Sequence, residues 1–201
     1  MPVIRFNPPE ELNESYFFDD FAGAAYDNKA WAVLGGSGSA AMPASNIGGQ
    51  IQVTANSNNY YELNMIANFS FSLQNNIIIT WRGSLTSLTN CKGYWGANNS
   101  SNDYIALAYD SALSSNWLLQ TKGNSVLTST DTTIAADTSW HEFKIIGSST
   151  LVNLFIDNVP IITNITNLTT KVIAPFCRST STTMSTKSIL SDWIEVIGDR
   201  E

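Results

Sequence analysis

Trp140-His141-Glu142-Phe143-Lys144-Ile145-Ile146-Gly147-Ser148-Ser149-Thr150-Leu151-Val152-Asn153-Leu154-Phe155-Ile156-Asp157-Asn158-Val159-Pro160-Ile161 contains two alternating runs, each followed by turn residues. Successive side chains of a strand point to opposite faces, so Val152, Leu154 and Ile156 share one face, and Leu151, Asn153, Phe155 and Asp157 the other. Gly147-Ser148-Ser149-Thr150 has the composition of a tight hairpin, and Asp157-Asn158 before Val159-Pro160 that of a second turn. The unit is strand, hairpin, strand, turn.

The same pattern extends in both directions. Further strands are expected at 16–21, 50–54, 60–66, 69–73, 76–82, 104–109, 117–121, 172–177 and 189–197. They are short, rich in β-branched and aromatic residues, and separated by Gly, Asn, Ser and Asp. Ile105, Leu107 and Tyr109 share a face, as do Ile77, Ile79 and Trp81. No window keeps apolar residues at i, i+3, i+4 and i+7 with a cap and a stop, which limits helix to a turn or two near Asp110–Ser115. One apolar face and one mixed face per strand predict an all-β protein of two antiparallel sheets packed face to face. Residues 1–14, with Pro8-Pro9 and Glu10, Glu11 and Glu14, read as an extended arm before a single sandwich domain spanning residues 15–201.

Composition narrows the partners. The chain has 201 residues, 43% of them hydrophobic and only 13% charged. Ser, Thr and Asn fill about a third of it, so the surface is one of hydroxyls and amides. Ten basic residues stand against 17 acidic ones, a net charge of −7. Without Lys/Arg clusters, neither a nucleic acid nor an anionic membrane is an expected partner. No apolar run is long enough to span a bilayer, and residues 1–9 lack signal-peptide character. Cys91 and Cys177 suit either one long-range bridge or two buried thiols. A single histidine, His141, excludes multi-histidine metal sites and is expected to be structural. No cofactor is called for.

Three stretches carry a resemblance. They are Tyr16-Phe17-Phe18-Asp19-Asp20-Phe21 with Trp31 and Gly48-Gly49-Gln50-Ile51-Gln52-Val53; Asp137 through Ile145 running into Leu154 through Ile161; and Asp192-Trp193-Ile194-Glu195-Val196-Ile197-Gly198. Together they resemble the concanavalin A-like lectin/glucanase jelly roll, its laminin-G-like members in particular. The resemblance implies opening and closing strands that pair side by side, and a central hairpin at 140–157. The combination is also similar to jelly-roll proteins of tailed bacteriophages: capsid decorations, head fibres and tail components. It implies a non-enzymatic virion protein, made in the host cytoplasm, that docks on capsid or tail proteins and self-associates. Phe6, Pro8 and Pro9 of the arm would then contact the neighbour. The alternative is an extracellular carbohydrate-binding, lectin-like module that adheres to cell-surface glycan, with or without calcium.

Hydrolases of this family place carboxylates at i, i+2 and i+4 on one strand, so that two of them flank the scissile bond. Here Asp192 and Glu195 are three apart, Glu62 stands alone, and Glu142 is followed by Lys144, so an enzyme is not expected. Leu34-Gly35-Gly36-Ser37-Gly38-Ser39-Ala40-Ala41 superficially matches a dinucleotide-binding loop. No helix follows it to receive phosphates, which leaves a flexible surface loop. Asn98-Asn99-Ser100-Ser101-Asn102-Asp103 offers oxygen ligands of the kind calcium takes, yet has one formal charge, and reads as a polar loop. Tyr94-Trp95, Trp117 and Tyr60-Tyr61 lie near Asn-rich segments. Tyr94, Trp95, Asn102 and Trp117 are the candidates for stacking a sugar or contacting another subunit. Trp81, Trp140 and Trp193 are expected to pack in or on the sheets.

Overall fold

A computed structural model of the chain describes residues 15–22, 27–28, 30–43, 49–65, 71–72, 77–100, 102–148, 150–163 and 172–198. Residues 1–14, expected to form an arm with the docking candidates Phe6, Pro8 and Pro9, lie outside them. Sixteen strands and no helix occur among the described residues. They are β1 (Ser15–Asp19), β2 (Ala32–Leu34), β3 (Gly38–Ala41), β4 (Ile51–Ala55), β5 (Tyr60–Asn64), β6 (Phe71–Ser72), β7 (Ile77–Leu85) and β8 (Cys91–Ser100). The chain continues through β9 (Asp103–Asp110), β10 (Asn116–Gly123), β11 (Val126–Ala135), β12 (His141–Gly147), β13 (Val152–Ile156), β14 (Val159–Thr163), β15 (Val172–Ser181) and β16 (Lys187–Gly198).

The strands form two antiparallel eight-stranded sheets. The first runs β14-β13-β12-β7-β16-β4-β3, with β1 beside β16; the second runs β11-β10-β9-β8-β15-β5-β2, with β6 beside β15. The opening strand pairs with the closing one, Ser15 opposite Gly198 through Asp19 opposite Ile194. The central hairpin is β12–β13, in register from Phe143 opposite Ile156 to Gly147 opposite Val152. Asp157 and Asn158 both have positive φ, 51° and 64°, as a two-residue type I′ turn requires.

Alternation builds the core. Ile51, Val53, Ile77, Ile79, Trp81, Phe143, Ile145, Val152 and Leu154 point inward from the first sheet, and Leu63, Trp95, Ile105, Leu107, Trp117, Leu119 and Cys177 from the second. They meet in one continuous cluster, in which Trp95 and Phe143 approach to 5.3 Å between ring centroids across the two sheets. Cys91 and Cys177 are both buried free thiols.

All eleven expected strands are present, and five more join them: β2, β3, β8, β11 and β14. Two expected loops are corrected. The segment 34–41 ends β2, turns at Gly35 and Gly36, and forms β3. Most of Asn98–Asp103 belongs to the paired strands β8 and β9, with Ser100 opposite Asp103 and Asn102 a turn residue. The Asp110–Ser115 segment is a turn, with Leu113 and Ser114 both donating to the carbonyl of Asp110.

Candidate functional site

The outward face of the second sheet is where polar chemistry collects. With Trp95 and Leu63 turned into the core, their neighbours Tyr94, Glu62 and Asn64 must face the other way. Register then aligns them. Leu34 pairs with Glu62, Glu62 with Arg178, and Arg178 with Tyr94, one row across four strands. The row toward one end is Tyr60, Thr180 and Lys92; toward the other it is Asn64 and Phe176. A cleft of about 480 Å³ opens on this face, lined by these residues, the buried Phe176 apart, together with Asn98, Asn99 and Ser100.

Glu62 is the hub and is almost wholly buried, at 3% exposure. Its Oε1 accepts from Asn64 Nδ2 at 3.0 Å and from Asn98 Nδ2 at 2.8 Å. Its Oε2 accepts from Arg178 Nε at 2.6 Å and forms a salt bridge with Nη2 of the same side chain. Both oxygens are therefore spent on internal partners. Asn64 Nδ2 also donates to Asn98 Oδ1, closing the network. The Arg178 guanidinium lies over three rings, 5.6 Å from the centroid of Tyr60, 5.5 Å from Tyr94 and 5.2 Å from Phe176. These separations suit cation–π attraction, which holds the charge against the aromatic floor.

Tyr94, Tyr104, Ala106, Ala108, Leu118 and Phe176 form a second, smaller apolar cluster on this face. Burial raises the pKa of the Tyr94 phenol, reinforced by Tyr104 and Asp110 and opposed by Arg178. Burial likewise raises Tyr104, whose hydroxyl donates to Gln120 Oε1 at 3.1 Å. Lys92, at the cleft margin, is paired with Asp110 at 2.7 Å. Tyr60 is different: at 43% exposure it is the accessible aromatic of the lining.

The four sequence candidates separate accordingly. Tyr94 lies in the cleft. Trp95 and Trp117 do not, and as ligand contacts they are corrected: both are fully buried between the sheets, 6.1 Å apart. The Trp95 indole donates to Ser191 Oγ at 2.9 Å, an internal partner. Asn102 sits on the β8–β9 turn, where its Oδ1 accepts from Lys122 Nζ at 3.2 Å. Asn98 and Asp103, whose oxygens are of the kind calcium takes, are turned to internal use; Asp103 Oδ1 accepts from the Asn124 N–H at 3.0 Å. No group of three or more His, Cys, Asp or Glu able to hold a metal occurs among the described residues. Sequence reasoning missed Glu62, Asn64 and Arg178. Alternation of Tyr60, Glu62 and Asn64 with Tyr61 and Leu63 was the available signal, but Arg178 joins them only through the β5–β15 register.

His141 lies elsewhere, at the start of β12. Its Nδ1 is 2.8 Å from Asp157 Oδ2 and its Nε2 3.1 Å from Asp137 Oδ1, and its ring meets Trp117 edge-on at 5.8 Å. It is a clip between two turns.

No protein-family model matches the sequence, and no curated protein matches it. Solved structures do. A β-glucanase of Bacillus licheniformis superposes with TM-score 0.68 at 9% identity, over 90% of this chain and 97% of that one. A prokaryotic β-1,3-1,4-glucanase (lichenase) from a mouse hindgut metagenome gives 0.68 at 10% identity, over 93% and 100%. A Mycobacterium tuberculosis protein described as an immunostimulatory antigen and pseudo β-1,3-glucanase gives 0.66 at 12%, over 90% and 98%. None of these three is described as a virion component. With two antiparallel sheets, paired first and last strands among the described residues, and superposition on glucanases over 90% and 93% of its length, the chain has the concanavalin A-like jelly-roll fold.

Proposed function

We propose that the chain is a carbohydrate-binding module that seats a glycan in the cleft on the outward face of the second sheet without cleaving it. The observation that carries this is the character of the lining: tyrosines, amides and hydroxyls around one carboxylate, Glu62, whose two oxygens are already held by Arg178, Asn64 and Asn98. An exposed aromatic beside amides and hydroxyls supplies a stacking surface and directional hydrogen bonds, as small-ligand sites do. Glycoside hydrolysis needs a second carboxyl group across the bond, and the cleft lining has none among the described residues. Similarity to glucanases, one of them described as a pseudo-glucanase, supports carbohydrate as the ligand class. The virion-docking expectation gains no support from these structures.

Titration calorimetry with a soluble β-1,3-glucan, a mixed-linkage β-1,3-1,4-glucan and a panel of other polysaccharides tests this. Saturable binding that falls roughly tenfold or more in Tyr60→Ala is expected, about 1.4 kcal/mol or more. Absence of binding across the panel overturns the reading. Release of reducing ends that disappears in Glu62→Gln would overturn its non-hydrolytic part.

A further inference from the structure

We infer that the Gly35-Gly36 turn is the seat that fixes the Tyr60 ring at the cleft rim, making Gly35 a positioning residue for the ligand; this rests on the carbohydrate reading above. Leu34, immediately before the turn, is the cross-strand partner of Glu62 in the second sheet. Gly38, just after it, is paired with Ala55 in the first. The turn therefore carries the chain from one sheet to the other and is tied at both ends. Ser37 anchors it further: its carbonyl accepts from the Asn56 N–H at 2.9 Å and its Oγ from Asn56 Nδ2 at 2.8 Å.

Tyr60 rests on this corner. Gly35 has φ +78° and Gly36 φ +52°, a left-handed backbone that favours glycine. Space is the second and stronger reason. A β-carbon on Gly35 would fall within the hydroxyl end of the Tyr60 ring, overlapping Cε2, Cζ and Oη, and one on Gly36 would overlap the Tyr60 carbonyl. The Arg178 guanidinium, fixed by Glu62, holds the ring from within the cleft. Tyr60 is thus an exposed aromatic whose position is set by backbone on one side and by the buried ion pair on the other. A platform immobilised before the ligand arrives loses little side-chain freedom on binding.

The test is a double-mutant cycle. Gly35→Ala and Gly35→Asn are measured with the same two soluble β-glucans, alone and combined with Tyr60→Ala. Asparagine tolerates positive φ but adds a β-carbon, so it separates backbone strain from displacement of the ring. Each Gly35 variant is expected to weaken binding by roughly tenfold and to add nothing in the Tyr60→Ala background. Equal losses in both backgrounds, or full binding by Gly35→Asn, would overturn the assignment. A ligand-free arm uses protein carrying 3-fluorotyrosine, with the Tyr60 resonance identified by its absence in Tyr60→Phe. Gly35→Ala should move that resonance; an unmoved one overturns the seat. If wild type binds neither these glucans nor the wider panel, the carbohydrate reading fails, while the fluorine measurement still decides the seat.

Discussion

Glu62 gathers four N–H groups from three side chains while almost wholly buried, and this makes it the most consequential single residue on the outward face. Arg178 has only 14% of its side chain exposed, so removing the carboxylate strands a charge where water reaches it poorly. Breaking a buried pair from one side destabilises by about 3–5 kcal/mol, more than an exposed pair contributes. Glu62→Ala should therefore lower the urea midpoint at unchanged m-value, and Glu62→Gln, which keeps one oxygen acceptor, should lower it less. A wild-type midpoint in Glu62→Ala would show that Arg178 finds water readily and that the network is not a structural hub. At this scale the sequence was half legible. The aromatic and amide character of the cleft face is visible in the sequence, but the adjacency of Tyr94 and Trp95 suggests a pair. In a strand, adjacent residues cannot both face a ligand; parity sends Tyr94 to the cleft and Trp95 to the core.

Strands were easiest to read where β-branched residues alternate and turns carry Gly, Asn or Asp, as in β7, β12 and β13. β8 escaped because Gly93, Gly96, Asn98 and Asn99 have poor strand propensity. Pairing with β9 on one side and β15 on the other overrides that preference. β11 escaped for a related reason: its burial alternates, but the more buried face of this edge strand is Thr128, Thr130 and Thr132 before Ile134, not a continuous apolar one. Turns are where a pH dependence belongs. Burial works against a charged His141, but its hydrogen bonds and charge interactions with Asp157 and Asp137 outweigh that and hold its pKa above the ordinary value. A raised folded-state pKa stabilises the protein fully below the unfolded value, near 6.5. That contribution is lost as pH rises through the folded value. Asp137 is held low, first by the Ser139 N–H, and so matters only in acid. Between pH 5 and 9, the stability advantage of wild type over His141→Asn should shrink as pH rises. An advantage that is flat or grows with pH would mean that His141 is neutral in the clip.

At the scale of the molecule, the question is whether two sheets tied by one core open together. Trp95 and Trp117 from one sheet interlock with Phe143 from the other at 5.3 and 5.1 Å, so neither sheet can leave without exposing these three buried rings. The two thiols report on this from adjacent strands. Cys177 is fully buried mid-strand in β15, and burial chiefly pushes its thiol up to about 12. Cys91 opens β8 beside a turn, its Sγ donating to the Ser87 carbonyl at 2.8 Å, and burial chiefly pushes it up to about 11. Only the thiolate reacts with a disulfide reagent, so in the native state both should be inert near pH 8. Reaction then measures opening. Cys91 should label through fraying at the strand end, with weak dependence on denaturant. Cys177 should label only through complete unfolding, with a slope on urea equal to the equilibrium m-value. The single-cysteine variants Cys91→Ala and Cys177→Ala separate the two signals. A shallow slope for Cys177 would mean that the second sheet opens while the first stays folded, and the shared aromatic interlock would not be what makes the sandwich cooperative.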